Sequence, residues 1–250
     1  MSTQAPSPRT DTEPPPANDQ LSPGGSPRLK EYDEFVKAVR DACGAPGTQQ
    51  ALRRALGRDP EEVPARTHAA LMRPGLLPYG VRGARRRAYY TVAALIAARP
   101  SAERLAAQES EGEAAQITET ATDTRRAADE PATGKPPAQH AGDVPASGMS
   151  HQGRRKNLGE SLALAVARQG EGIKANGAES RLHLMVRQDS DGLHRMLPGV
   201  LRLLGSAGVP VDYSRLLNDL LRWERWQEDV VVEWLESYYR TLRRAQESNN

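Results

Sequence analysis

The feature that most constrains this chain is a run of helical periodicity between residues 157 and 240. Apolar residues recur there at intervals of three and four positions, most regularly in Leu193, Met196, Leu197, Val200, Leu201 and Leu204. This spacing lines apolar side chains along one face of an α-helix, and such a face must be buried against another element. No segment shows the alternation that is typical of a strand. The sequence therefore predicts an all-α protein of packed helical hairpins.

The chain also contains two stretches with almost no large apolar side chains. Residues 1–27 carry seven prolines, and residues 101–150 are rich in Ala, Glu, Thr, Pro and Gly. Neither stretch can bury enough apolar surface to offset the entropy lost on ordering. We therefore expect a disordered Pro-rich tail and a long disordered acidic linker. The linker would join an N-terminal helical unit at 28–100 to a C-terminal helical bundle at 151–245.

Charge is distributed unevenly along the chain. Residues 28–100 hold 14 basic and 7 acidic side chains, whereas residues 101–150 hold 4 basic and 9 acidic ones. Most of the positive charge is arginine, whose guanidinium forks onto phosphate and stacks on bases. A high-GC genome would produce the same arginine excess, so the placement of the charge is the stronger indication. That placement suits a nucleic-acid partner.

Several classes of protein are disfavoured by what the sequence lacks. Cys43 is the single cysteine, and the five histidines show no metal-ligand spacing. No nucleophile, base or metal set can be assembled, so we expect neither catalysis nor a metal site. The first residues lack the apolar core of a secretory signal, and no run of 18 apolar residues exists. We therefore expect a cytoplasmic protein without a membrane segment.

Local signals predict several caps and turns. Thr48 and Asp212 are candidate N-caps, and residues 170–178 are predicted to form a loop. Asp189 and Asp191 resemble a metal-binding pair, but their position beside a glycine indicates turn and cap residues. We predict separate helices for the leucines after Asp212 and for the final segment through Leu242.

Aromatic and histidine residues of the second half are predicted to be structural. Tryptophans at helical spacing are more often core residues than base-stacking platforms. We therefore expect four aromatic residues in the core and two histidines as ordinary helix residues: Trp223, Trp234, Tyr238 and Tyr239, and His183 and His194.

A series of motifs follows in order along the second half of the chain. A basic tract precedes N-L-G-x-S-L, and a Glu/Arg pair and a leucine-rich helix with a polar-face arginine come next. A V-P-V-D-Y turn, an L-L-x-D-L-L-x-W helix and a final W-x-x-x-Y-Y complete the series. The corresponding residues are Asn157–Leu162, Glu179 and Arg181, Arg202, Val209–Tyr213, Leu216–Trp223 and Trp234–Tyr239. This order of motifs resembles one family, the CasB small subunit of the type I-E CRISPR Cascade complex. A-L-R-R-A at Ala51–Ala55 extends the resemblance, more weakly, into the first half.

This resemblance implies a non-catalytic subunit without cofactors. Two copies of such a subunit line the inner face of a complex guided by CRISPR RNA (crRNA). They contact the other Cascade subunits, each other, and the backbones of crRNA and target DNA. Their basic side chains hold the R-loop open.

The resemblance also implies which side chains meet nucleic acid. Arg54, with Arg53 beside it, Arg181 and Arg202 match the family's basic positions. Many relatives have arginine where this chain has Glu160, and the tract Arg154, Arg155 and Lys156 would compensate for that difference. The triplet Arg85, Arg86 and Arg87 is a further candidate, although these arginines could equally lie against acidic residues of the same fold.

Two functions from different classes remain open at this point. The first is the nucleic-acid-binding Cascade subunit. The second is a helical protein-interaction or regulatory module whose arginines meet an acidic protein surface. Salt-sensitive binding of single-stranded nucleic acid separates the two.

Overall fold

The computed structural model describes residues 27–100, 155–168 and 173–248, and these residues form helices and connecting turns without a strand. The prediction of an all-α protein is thus confirmed. The predicted linker lies outside the described residues, as does the predicted tail apart from Pro27. The α-helices are α1 (Pro27–Ala42), α2 (Pro46–Arg53), α3 (Ala65–Leu71), α4 (Gly83–Ala98), α5 (Leu158–Ala167), α6 (Ala175–Val186), α7 (Ser190–Ser206) and α8 (Tyr213–Ser248). A short 3₁₀ turn at Pro60–Glu62 lies between α2 and α3.

One hydrophobic core joins the helices from both halves of the chain. The long helix α8 packs most extensively on α5 and also contacts α4 and α1. Helix α4 is buried continuously from Arg87 to Ala97, so it is surrounded by neighbours rather than exposed on one side. The leucine stripe that dominated the sequence pattern is buried as predicted, with Leu193, Leu197 and Leu204 fully inaccessible.

The N-L-G motif fastens α5 to α8. The side chain of Asn157 caps α5 by accepting the Glu160 N–H at 2.9 Å. Its amide nitrogen donates to the Glu233 carbonyl at 3.1 Å and to Ser237 Oγ at 2.9 Å, both on α8. A Cβ at Gly159 would overlap the carbonyl oxygen of Trp234 and lie 2.7 Å from its carbonyl carbon. Only glycine permits the two backbones to approach this closely.

A buried polar network reinforces the same helix. Trp234 Nε1 donates to the Asp219 carboxylate at 2.8 Å, and Arg215 Nε lies 2.9 Å from that carboxylate. Arg215 and Arg222 both pair with Glu233. Burial raises the pKa of Asp219 to about 6 against the opposing effects of Arg215 and Trp234. These partners compensate a charge that would be costly if buried alone.

The predicted caps of the second half are confirmed, whereas that of α2 is wrong. Asp212 accepts the Arg215 N–H at 2.9 Å and Asp189 accepts the Gly192 N–H at 2.7 Å. Thr48 caps nothing, because α2 already begins at Pro46, whose fixed φ suits the first turn of a helix. Thr48 is instead buried, and its hydroxyl accepts from Arg73 at 3.2 Å.

The structure corrects two further predictions and confirms a third. Helix α6 begins at Ala175, inside the predicted 170–178 loop. The two helices predicted for the C-terminal segment are both present within α8 and are separated by a kink at Trp226, whose backbone is non-helical with φ −132° and ψ 45°. Tyr239 is 40% exposed rather than in the core, since its hydroxyl donates to Glu179 at 2.7 Å on α6. Trp223, Trp234 and Tyr238 are buried as predicted.

Burial of His194 predicts a measurable dependence of stability on pH. Its ring is 3% exposed and lies 2.7 Å from Thr91 Oγ1. Burial, followed by the nearby charge of Arg87, lowers the pKa of His194 to about 4, although Asp191 opposes the shift. The unfolded chain protonates this histidine near pH 6.5, so its contribution to stability is present above that pH and is lost as the pH falls towards 4. Between pH 7 and pH 5 we expect a loss of about 2 kcal/mol.

Urea unfolding of His194→Asn at pH 7 and pH 5 measures this contribution. Asparagine keeps a hydrogen-bonding group near the position of Nδ1 but does not titrate. Asp219, whose pKa is raised, acts in the opposite direction between about pH 4 and pH 6, and it does so in both proteins. The readout is therefore the difference between the two pH slopes. Identical slopes would contradict the assignment of His194.

Candidate nucleic-acid interface

Two of the candidate arginines lie at one cleft. Arg53 ends α2 and Arg202 lies near the end of α7, and both line an open cavity of about 370 Å³. The described residues that line this cavity include no carboxylate. They are Arg53, Leu56, Leu95, Ala98, Arg99, Pro100, Pro198, Leu201, Arg202, Gly205, Ser206 and Tyr213.

Neither Arg53 nor Arg202 has its charge neutralised within the described part of the chain. Both side chains are exposed, and neither forms a hydrogen bond or ion pair with a described residue. Helices α2, α4 and α7 all end at this cleft. At Arg53, in the last turn of α2, the partial negative charge of the helix C terminus favours an arginine by about 0.3–1 kcal/mol. That interaction leaves the guanidinium donors available to an external ligand.

Four other predicted residues are also exposed, but none of them lines the cleft. Arg54 and Lys156 form no hydrogen bond or ion pair with described residues. Arg181 Nη1 donates to the Gly177 carbonyl of its own helix at 3.0 Å. Arg85 is exposed and lies beside the buried Tyr89. Burial raises the pKa of Tyr89 to about 12, although the charge of Arg85 opposes this shift.

Arg86 and Arg87 interact within the fold. Arg86 Nη2 lies 3.2 Å from both Tyr90 Oη and His68 Nδ1, and its guanidinium lies 5.3 Å from the centre of the Tyr90 ring. Arg87 is buried, and its guanidinium pairs with Asp59 at 2.7 Å and with Asp191. For Arg87 this is the alternative that the sequence left open, an arginine held against carboxylates of its own fold.

In the basic tract 154–156, Arg155 contacts carboxylates of the same fold. Arg155 Nη1 and Nη2 donate to the two carboxylate oxygens of Asp33 at 2.7 and 2.5 Å, in the bidentate geometry characteristic of arginine. Arg155 Nη1 also lies 3.4 Å from Asp212, so it joins α1 to the start of α8. Arg154 lies outside the described residues.

Sequence reasoning missed Arg99 and Tyr213 as members of the cleft. The sequence motifs do not single out Arg99, and they include Tyr213 only as the last residue of the V-P-V-D-Y turn. Arg99 could have been found from its place at a helix end, since basic residues favour the last turn. Tyr213 could not, because its approach to α4 depends on tertiary packing.

No group of three or more His, Cys, Asp and Glu side chains with metal-binding geometry occurs among residues 27–100, 155–168 and 173–248. His183 lies 2.8 Å from Tyr239 Oη, and the Tyr239 hydroxyl donates to Glu179. This hydrogen bond is the main reason why the pKa of Tyr239 is raised to about 12. The protonated Tyr239 hydroxyl therefore links α8 to α6 through its hydrogen bond with Glu179.

None of the described helices combines the length and apolar character needed to cross a bilayer.

Comparison with known proteins identifies the family. The family model described as CRISPR-associated protein Cse2 matches residues 50–239. A chain of a solved CRISPR RNA-guided surveillance complex is 30% identical with a TM-score of 0.63, and the match covers 89% of this chain and 99% of the other. A chain of such a complex in a pre-nicking state is 32% identical with a TM-score of 0.62 and the same coverage.

A more distant neighbour shares the fold. The crystal structure of M. ruber CasB is 20% identical with a TM-score of 0.55, over 89% of this chain and 98% of that one. A comparison with curated protein sequences finds no match. The family model spans most of the chain and agrees with the resemblance seen in the sequence motifs. This chain therefore belongs to the CRISPR-associated Cse2 (CasB) family.

Proposed function

We propose that this protein is a non-catalytic subunit of an RNA-guided CRISPR surveillance complex. In this role it binds nucleic-acid backbone through a basic face centred on Arg53 and Arg202. The observation that carries the proposal is the cleft at which Arg53 and Arg202 meet, since neither is paired with a described residue and no described carboxylate lines the cleft. The similarity to chains of solved surveillance complexes supports the same role.

The chemistry of this face suits phosphate. Each guanidinium presents five donors in a planar fork that matches phosphate oxygens, and each bound phosphate releases condensed counterions. Such contacts are independent of sequence, as the stabilisation of a crRNA-guided R-loop requires. The proposed partners are the backbones of crRNA and target DNA, the other Cascade subunits and a second copy of this chain, all in the cytoplasm.

The proposed face includes some candidate residues and leaves others out. Exposed Arg54, Arg85, Lys156 and Arg181 extend it as secondary contacts. The buried, paired Arg87 is omitted, because freeing it would leave carboxylates of the fold unpaired. Arg86, Arg154 and Arg155 are not needed for the proposal.

The double variant Arg53→Ala/Arg202→Ala tests the proposal. Hydrogen bonds to charged groups contribute about 1.5–3 kcal/mol each, so we expect single-stranded DNA to bind at least about tenfold more weakly. The slope of log affinity against log salt should fall by about 2, one for each phosphate contact removed. The melting temperature should move little, because both residues are exposed. Fluorescence anisotropy titrations at several salt concentrations measure the affinity and the slope.

Arg66→Ala/Arg187→Ala is the matched control. Both residues are exposed arginines that do not line the cleft and pair with no described residue. The control removes the same charge, so general electrostatic attraction falls equally in both variants. Equal effects of the two double variants would reject a localised face. Binding of polyglutamate in preference to DNA would favour the acidic-protein alternative.

A further inference from the structure

The cleft between α2, α4 and α7 has an apolar floor beneath its basic rim. Phosphate binding alone requires only donors, and an exposed apolar surface adds nothing to it. An apolar floor therefore indicates that the ligand also has an apolar face. The partly exposed members of the floor are Leu56, Ala98 and Pro198, whereas the neighbouring Leu95 and Leu201 belong to the buried core.

We propose that this cleft receives one unstacked base of a single-stranded nucleic acid while Arg53 and Arg202 hold the adjoining phosphates. The inference rests on the proposed function and adds a site for the base. It assigns the apolar side chains a role that backbone contacts leave unexplained.

The size of the cleft supports a ligand of this kind. Its volume of about 370 Å³ lies near the lower limit of small-molecule sites, which span roughly 300–1,000 Å³. One flat aromatic ring system with its sugar fits a space of this size, whereas a packed peptide helix, about 10–12 Å across, does not. Arg53 and Arg202 attract an anionic ligand, and no carboxylate among the described lining residues opposes this attraction.

The polar groups of the cleft indicate that base identity matters little. Ser206 Oγ already donates to the Leu203 carbonyl at 2.8 Å, within its own helix. Arg53 and Arg202 are exposed, and arginine can stack on any base as well as bind phosphate. Apolar contact and stacking are sequence-tolerant, because every base has a π face. A subunit that must accept any guide or target sequence requires this tolerance.

Two oligonucleotides of equal length separate base burial from backbone contact. The first is oligothymidylate, and the second carries abasic tetrahydrofuran sites in place of every base. The full chain should bind oligothymidylate about five- to a hundredfold more tightly, because a stacked base contributes roughly 1–3 kcal/mol. Equal affinity for the two oligonucleotides would overturn the inference while leaving the proposed function intact.

Ala98→Leu tests whether the preference for oligothymidylate over the abasic strand arises in the cleft. Leucine fills the floor without adding a π face, so the variant should lose the preference for oligothymidylate and keep its affinity for the abasic strand. Ala69→Leu, at an exposed position of α3 outside the cleft, should behave like the unchanged protein. Ser206→Leu at the exposed rim is a second filling variant in case Ala98→Leu does not fold.

The remaining outcomes also test the inference. A filled cleft that retains the full preference for bases would overturn the inference, because the bases would then bind elsewhere. Arg53→Ala/Arg202→Ala should weaken both oligonucleotides, since it removes backbone contacts. Binding of neither oligonucleotide by the folded, unchanged chain would overturn the proposed function and the inference together. Tight binding of polyglutamate alone would identify the occupant as an acidic peptide instead.

Discussion

Gly159→Ala is expected to lower the free energy of unfolding by about 3 kcal/mol, because overpacking forces neighbouring backbone to shift. The added methyl would occupy space taken by the Trp234 carbonyl, and backbone cannot rotate away as a flexible side chain can. The displacement would also disturb the Asn157 contacts to Glu233 and Ser237 on the same stretch of α8. Chemical denaturation with far-UV circular dichroism measures the change.

Gly199→Ala is the matched control for this prediction. Gly199 is also helical, but it is exposed and a Cβ there would meet nothing within 4 Å. Alanine is favoured over glycine in a helix interior by about 0.8–1 kcal/mol, so this variant should be more stable than the unchanged protein. The two glycine substitutions should therefore change stability in opposite directions. A Gly159→Ala protein as stable as the unchanged one would show that α5 and α8 are not as tightly packed as described.

Arg87→Leu is expected to destabilise the protein by about 3 kcal/mol, the lower part of the range for breaking a buried ion pair. The guanidinium joins α4 to Asp59 beside the 3₁₀ turn and to Asp191 on α7. Its removal leaves Asp59 without this partner and leaves Asp191 with only the 3.9 Å contact to Arg195, although the partial exposure of both carboxylates lets water recover some of the loss. Thermal and urea denaturation measure this effect.

Arg85→Leu is the control that separates a structural role of Arg87 from a role in binding nucleic acid. Arg85 lies two positions earlier on the same helix and is exposed, so this change should alter stability by about 0.5 kcal/mol or less. The DNA affinity of the Arg87→Leu variant is measured at a temperature where this variant remains folded. Its affinity for single-stranded DNA should equal that of the unchanged protein. If a fully folded, equally stable Arg87→Leu protein bound DNA more weakly, Arg87 would be assigned to the nucleic-acid face.

Much of the fold could be predicted from the sequence because its signals are local. The stripe from Leu193 to Leu204 depends on spacing within one helix, and the Asp189 and Asp212 caps depend on a backbone N–H three residues away. The error at Thr48 was itself local, because Pro46 begins the helix two residues earlier, whereas the error at Tyr239 came from a longer-range contact. Tyr239 lies at helical spacing from the core, but its hydroxyl reaches Glu179 on α6 and keeps the ring at the surface.

The sequence by itself determined the helical class, the apolar faces, several caps and the family to which the chain belongs. Only the tertiary structure decided how each arginine is used. Arg85 and Arg87 are alike in local sequence, yet one is exposed and the other lies between two carboxylates. Arg53 and Arg202 belong to distant helices, yet they meet at one cleft. The physical reason is that the free energy of a charge depends on the solvent and partners around it, and these are set by packing between distant segments.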